Sequence, residues 1–254
     1  MATDAANYKL NQRVFAMFVG RSGDGKSTAA ASFPKKLINL DFDLRFGGIA
    51  AAIQQKIILG EGIEYTSFNP RGGVDDINNL LMQWEILHKS GNFPYKTVIV
   101  DSLTSLTRTM VLASHKLQQG KMIGNLRVSG PGDFNFEASG THQFFDYLRI
   151  FPANVICSAH TVDKYGKLDK SKDYSETGVV GEKLSIRDNL GENVQTYFDN
   201  VWKFSRELVN GKIKYYVEFA TDLAKNSYGI PPGRYDITGK SFYEFFIELI
   251  TRPK

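Results

Sequence analysis

Residues 20–28 read GRSGDGKST, and they follow the short apolar run RVFAMFV. The run is too short for a helix of ordinary length and ends in glycine, so it predicts a buried strand over 13–20. KSTAAASF, directly after the loop, predicts a helix that Pro34 stops. A strand, a glycine-rich loop and a helix in that order restrict the fold sharply. The loop must turn back over the end of its own strand, and the helix must pack on the sheet that the strand belongs to.

The loop fits G-x-x-x-x-G-K-[ST] at Gly20, Gly25, Lys26 and Ser27, with Gly23 as a spare glycine. The residue types match the chemistry of gripping phosphate. Backbone N–H groups must converge on phosphate oxygens, and a Cβ would block the approach or the positive-φ turns. A helix N-terminus adds positive potential. Gly20, Ser22, Gly23, Asp24, Gly25, Lys26, Ser27 and Thr28 are therefore the expected nucleotide-binding residues. Lys26 would reach the β- and γ-phosphates, Ser27 would place its hydroxyl on Mg²⁺, and Thr28 would sit near the α-phosphate, with ATP and Mg²⁺ as the expected ligands.

A loop of this kind needs a second metal-holding group, an acid at the end of a neighbouring apolar strand. TVIVD supplies Asp101, and Ser102 can cap the helix that follows. Candidates to activate the attacking water are Asp41 and Asp43 in LINLDFD. Alternation places both on one side of their strand with Phe42 opposite, and Asp43, at the very end, is the better placed. His160 ends a further strand, NVICSA, where a polar side chain can touch the γ-phosphate and report it to the following loop.

Strand and helix patterns alternate through the first two thirds of the chain. Strands are expected at 36–43, 63–69, 96–101 and 154–159. Helices are expected from Asp75 to Leu87, from Leu103 to Leu117, and through HQFFDYLRI up to Pro152. Residues 121–136 read as a glycine-containing loop, and 161–195 as a long polar stretch without a firm period. Asn210-Gly211 between FDNVWKFSRELV and KIKYYVEFA marks a hairpin near 198–221, and KSFYEFFIELI an amphipathic closing helix. The expectation is an α/β fold: one domain over 1–254, a mainly parallel sheet flanked by helices, antiparallel strands at one edge, a flexible 1–10 and a C-terminal helix within 236–254.

Composition bounds the setting. Cys157 is the sole cysteine, which excludes an intrachain disulfide and a cysteine-rich zinc site. MATDAANYKLNQ lacks a basic start followed by an apolar core, and no apolar run approaches the about 20 residues of a membrane span. A cytoplasmic protein without a membrane partner is expected. The net charge of +4 permits an anionic partner without requiring one.

The order GRSGDGKST, LDFD, TVIVDSLTSL, VICSAH, long polar loop, hairpin and AKNSYGIPP resembles the core of RecA-type recombination ATPases over residues 10–235. It is most similar to the short RecA-like proteins of phages that act in single-strand annealing and recombination. The resemblance implies a RecA-like P-loop ATPase, DNA-stimulated, forming a ring or filament with ATP at its subunit boundaries. Partners would be single-stranded DNA and a single-strand-binding protein. Asp43 falls at the position of the water-activating acid and His160 at that of the γ-phosphate sensor. Lys225 falls where a residue reaches the neighbouring subunit's γ-phosphate, although Ser227 stands where relatives often carry a second, arginine, finger.

DNA-contacting loops in such proteins would correspond to residues 119–136 and 161–190. The first carries Lys121 and Arg127, and the second Lys164, Lys167, Lys170 and Lys172, with Tyr165 able to stack on bases. Charge in the second loop is nearly balanced: six cations face five acids through Arg187. A nucleotide-dependent switch or assembly ATPase of the same fold, acting on proteins without DNA, is the alternative reading.

Overall fold

The computed structural model describes residues 13–70, 72–117, 119–124, 126–167, 177–220 and 223–251. The expected flexible N-terminus, residues 1–10, lies outside them. Five parallel strands come first: β1 (Phe15–Gly20), β2 (Leu37–Asp41), β3 (Ile63–Ser67), β4 (Thr97–Asp101) and, after the small hairpin β5 (Met122–Ile123) and β6 (Leu126–Arg127), β7 (Asn154–Lys167). They are interleaved with α1 (Lys26–Ala30), α2 (Gly47–Gln54), α3 (Gly73–Lys89), α4 (Leu103–Leu117) and α5 (Pro131–Ile150). Then follow β8 (Thr177–Leu184), α6 (Asp188–Val194), β9 (Asn200–Val209), β10 (Lys212–Glu218), β11 (Arg234–Asp236) and α7 (Phe242–Thr251).

The main sheet has nine strands in the order β11-β10-β9-β1-β7-β4-β2-β3, with β8 paired to the far end of β7. β9 lies parallel to β1, while β10 and β11 add antiparallel strands at that edge. This is the mixed α/β, mainly parallel architecture of RecA-like P-loop proteins. The loop-bearing β1 and the acid-bearing β4 are not neighbours. β7 runs between them, with Gly20 in register with His160 and Val100 with Cys157. That insertion brings the ends of three strands to one edge.

Alternation along the central strands builds two cores. Phe15, Met17 and Val19 of β1 join Val98 and Val100 of β4 under α3, α4 and α5. Ala16 and Phe18 join Ile99 and Ile156 under α1 and α7. Both faces of β1 are therefore apolar, as a covered parallel sheet requires. Phe18 stacks on Trp202 at 5.4 Å and meets Phe242 edge-on at 5.5 Å, which ties the C-terminal helix to the loop-bearing strand. Ile99 is wholly buried at the sheet centre. Ile99→Val is expected to cost about 1 kcal/mol in urea unfolding; no loss would contradict a close-packed β4.

The Asn210-Gly211 hairpin forms as read, with φ of 51° and 74° at its two turn residues. Three segments differ from the sequence reading. α5 starts at Pro131, not after 136, because Pro131 occupies the first turn and Asp133 Oδ2 accepts the Gly130 N–H at 2.8 Å. The polar stretch after 160 is a ribbon: β7 runs on to Lys167 and pairs antiparallel with β8. β2 ends at Asp41, because Phe42 and Asp43 both turn their N–H groups onto the Asp101 carbonyl, at 2.7 and 3.3 Å. Among the described residues no helix is long and apolar enough to cross a membrane.

Candidate active site

The phosphate loop leaves β1 at Gly20 and enters α1 at Lys26. Gly23 and Gly25 both have φ of 85°, the left-handed region that a side chain would strain. Space is short as well. A Cβ on Gly23 would lie 2.7 Å from the Arg206 guanidinium, and one on Gly25 would lie 3.2 Å from the Tyr215 ring. Lys26 is 4% exposed, and its Nζ donates to the carbonyls of Gly20 and Arg21 at 2.9 and 2.8 Å. Burial pulls the lysine pKa down, while Asp24, Asp101 and Asp43 hold it up. Asp24, also buried, accepts the Arg21 N–H at 2.7 Å and braces the loop from beneath; burial raises its pKa.

Asp101, at the end of β4, takes Ser27 Oγ on Oδ2 at 2.8 Å and Ser158 Oγ on Oδ1. Burial raises its pKa and the two hydroxyls oppose the rise. Asp43 takes Ser102 Oγ at 2.8 Å and faces His160 Nε2 at 3.4 Å. Burial alone would raise the Asp43 pKa, but hydrogen bonds from His160, Ser105 and Ser102 prevail and bring it to about 2. His160 Nδ1 is buried and without a hydrogen-bond partner.

Asp41 does not share this site. It is buried, accepts the Arg45 N–H at 3.0 Å and Ser67 Oγ at 3.2 Å, and so pins the turn after β2. The expected common side for Asp41 and Asp43 fails because the strand ends between them.

Lys26, Ser27, Thr28, Asp43, Asp101 and His160 line one cavity of about 610 Å³, together with Ser22, Gly23 and Gly25. Ile57, Ile58, Tyr215, Ile237 and Phe242 line the same cavity. A buried cation with polar groups and a share of flat and branched apolar side chains in one cavity suit a triphosphate joined to an aromatic base. Tyr215, Ser158 and Arg206 are not among the residues that the sequence motifs single out. Each arrives through sheet order: Ser158 on β7 and Arg206 on β9 flank β1, and Tyr215 lies on β10, which pairs with β9.

Mg²⁺ fits the oxygens present. Ser27 and Asp101 offer adjacent hard donors, and among the described residues no group of three or more His, Cys, Asp or Glu side chains forms a metal cage. A magnesium site that relies on one or two protein oxygens, with phosphate and water completing the shell, has this composition. The glycine cradle, which a Cβ would fill at Gly23 and Gly25, fits a phosphate chain.

The other candidate residues lie apart. Lys225 is outside the cavity; it bridges to Val201 in the backbone and its Nζ donates to the Phe198 carbonyl at 2.8 Å. Arg127 is turned inward, paired with buried Asp133 at 2.9 Å, so it is withdrawn from any loop surface. Lys121 is exposed beside it. Lys164 and Tyr165 are exposed on β7, and Lys167 ends that strand. Lys170 and Lys172 lie outside the described residues.

The sequence matches the AAA_24 family, described as an AAA domain, over residues 12–228. No curated protein sequence matches the chain. Among solved structures it is similar to a KaiC-like protein from the hyperthermophilic archaeon Pyrococcus horikoshii OT3, at 16% identity and a TM-score of 0.42, over 89% of this chain and 86% of that one. It is also similar to the flagellar accessory protein FlaH from Methanocaldococcus jannaschii, at 12% identity and a TM-score of 0.40, over 88% of each chain. The family match spans most of the sequence, and the chain belongs to the AAA_24 family.

Proposed function

We propose that this AAA_24 protein is a Mg²⁺-dependent ATPase that binds single-stranded DNA, self-associates with ATP at subunit boundaries, and promotes annealing or strand exchange. The observation that carries it is the placement of His160. The first part of its strand delivers it to the cavity beside Asp43, and the same strand runs on into the exposed β7–β8 ribbon. A group that senses phosphate at the root of a projecting arm is the arrangement a nucleotide-controlled binding surface needs.

In this reading Lys26 binds the β- and γ-phosphates once it leaves the Gly20 and Arg21 carbonyls. Ser27 and Asp101 hold Mg²⁺, which when bound neutralises charge on the phosphate oxygens. Asp43 orients the attacking water and takes its proton. Lys225 serves a neighbouring subunit's site, consistent with its position outside its own cavity.

The exposed part of the ribbon carries Val162, Tyr165, Val179 and Val180 besides Lys164. That apolar share favours a second reading, a switch ATPase whose arm meets another protein. ATP hydrolysis measured with and without single-stranded DNA, at low and high salt, separates the two. Stimulation by DNA that fades with salt is expected for the first. Hydrolysis indifferent to DNA would support the second.

A further inference from the structure

The ribbon contains an electrostatic conflict. β7 and β8 place Asp163 directly opposite Glu182. Like charges at facing positions of an antiparallel pair push the strands apart. The conflict is relieved from outside the ribbon. Arg21, the second residue of the phosphate loop, pairs its guanidinium with Asp163 and lies 3.6 Å from Glu182. Lys203 of β9 reaches Glu182 at 3.0 Å. The loop is thus fastened to the arm through one side chain.

The backbone of that residue is held by the lysine that phosphate would recruit. Lys26 Nζ bonds the Arg21 carbonyl at 2.8 Å, and Asp24 bonds the Arg21 N–H at 2.7 Å. The Arg21 side chain lies half-exposed outside the cavity, so it is not placed to act on a reacting phosphate. Its connections run from the phosphate-gripping group on one side to the acid pair of the arm on the other.

We infer that Arg21 is a positioning residue that couples nucleotide occupancy to the β7–β8 arm. The inference rests on the nucleotide-binding reading above. Without nucleotide, Lys26 holds the Arg21 carbonyl and the guanidinium clamps Asp163 to Glu182. When a triphosphate draws Lys26 away, Arg21 loses that backbone anchor, its guanidinium is no longer held between the two acids, and the opposed carboxylates loosen the root of the arm. An exposed ion pair is weak, which suits a clamp that a bound ligand must release.

The test is amide hydrogen exchange in residues 161–165 and 180–184 of the full chain, without nucleotide and with a slowly hydrolysed ATP analogue, alongside binding of a fluorescent ADP. For the unaltered protein, exchange in these segments is expected to rise about fivefold with the analogue, the scale of one lost exposed ion pair. Asp163→Asn removes the like-charge conflict and should abolish the nucleotide response while fluorescent ADP still binds. Arg21→Lys, which keeps the charge but not the two-sided fork, should exchange faster even without nucleotide. Binding with unchanged exchange in the unaltered protein would overturn the coupling and leave the nucleotide site standing. A full response in Asp163→Asn would also overturn it. Failure of the unaltered protein to bind either nucleotide would overturn both.

Discussion

Lys26→Ala is expected to abolish nucleotide binding. Titration of a fluorescent ADP or ATP analogue should give a signal at least about 10²-fold weaker in affinity, the scale of removing a charged partner from an enclosed phosphate contact. The reason lies in how the ammonium is held. It is almost fully buried, donates to the carbonyls of Gly20 and Arg21, and sits among the carboxylates of Asp24, Asp43 and Asp101. Neutral carbonyls are weaker partners than phosphate oxygens, so the side chain is stored where an anionic ligand can recruit it. Removal also leaves the nearby carboxylates without their shared cation and makes the cavity repel phosphate. The fold should survive, since α1 is anchored by Ala29, Ala30 and Ala31 in the core beside Phe18. A variant with native circular dichroism and unchanged affinity would sink the phosphate-loop assignment.

The parts of this site that the sequence revealed share one property: each is written locally. The loop glycines, Lys26 and Ser27 form one contiguous word, and the apolar runs announce the acids and the histidine that follow them. The apolar alternation of β1 likewise anticipates its two covered faces. What stayed hidden depends on partners far along the chain. Arg206 and Tyr215 approach the phosphate loop only because β9 pairs with β1 and β10 folds back on β9. The ribbon was unreadable because its apolar residues, Val162, Tyr165, Val179 and Val180, fall at no strand period among charges and glycines. Asp41 was misplaced because alternation holds only while a strand continues, and the Asp101 carbonyl ends this one. The start of α5 was written in the sequence, in Pro131 and Asp133, but two flanking glycines read more loudly as a loop.

Asp43→Asn should lower the rate of ATP hydrolysis by about 10²–10⁴-fold, the usual contribution of a positioned general base, with affinity for ATP little changed. Asparagine keeps the size and one accepting oxygen, so the Ser102 hydroxyl at 2.8 Å retains a partner and the site should stay intact. What is lost is the negative charge. The carboxylate is held at about 2 by hydrogen bonds from His160, Ser105 and Ser102 acting against burial. Its folded pKa lies below the unfolded value, so its contribution to stability is present above about pH 4 and fades as pH falls through about 2. Hydrolysis measured between neutral pH and pH 5 should accordingly show no loss that belongs to protonation of Asp43. A carboxylate held so low is also a poor proton acceptor. His160 is the removable part of that restraint. If its ring turns from Asp43 toward phosphate, Asp43 loses a donor and becomes more basic at the moment water must be deprotonated. The two side chains should then behave as a unit: adding His160→Ala to Asp43→Asn should slow hydrolysis far less than His160→Ala does alone. Additive losses would separate the roles of the two residues, and an undiminished rate in Asp43→Asn would move the activation of water to another group.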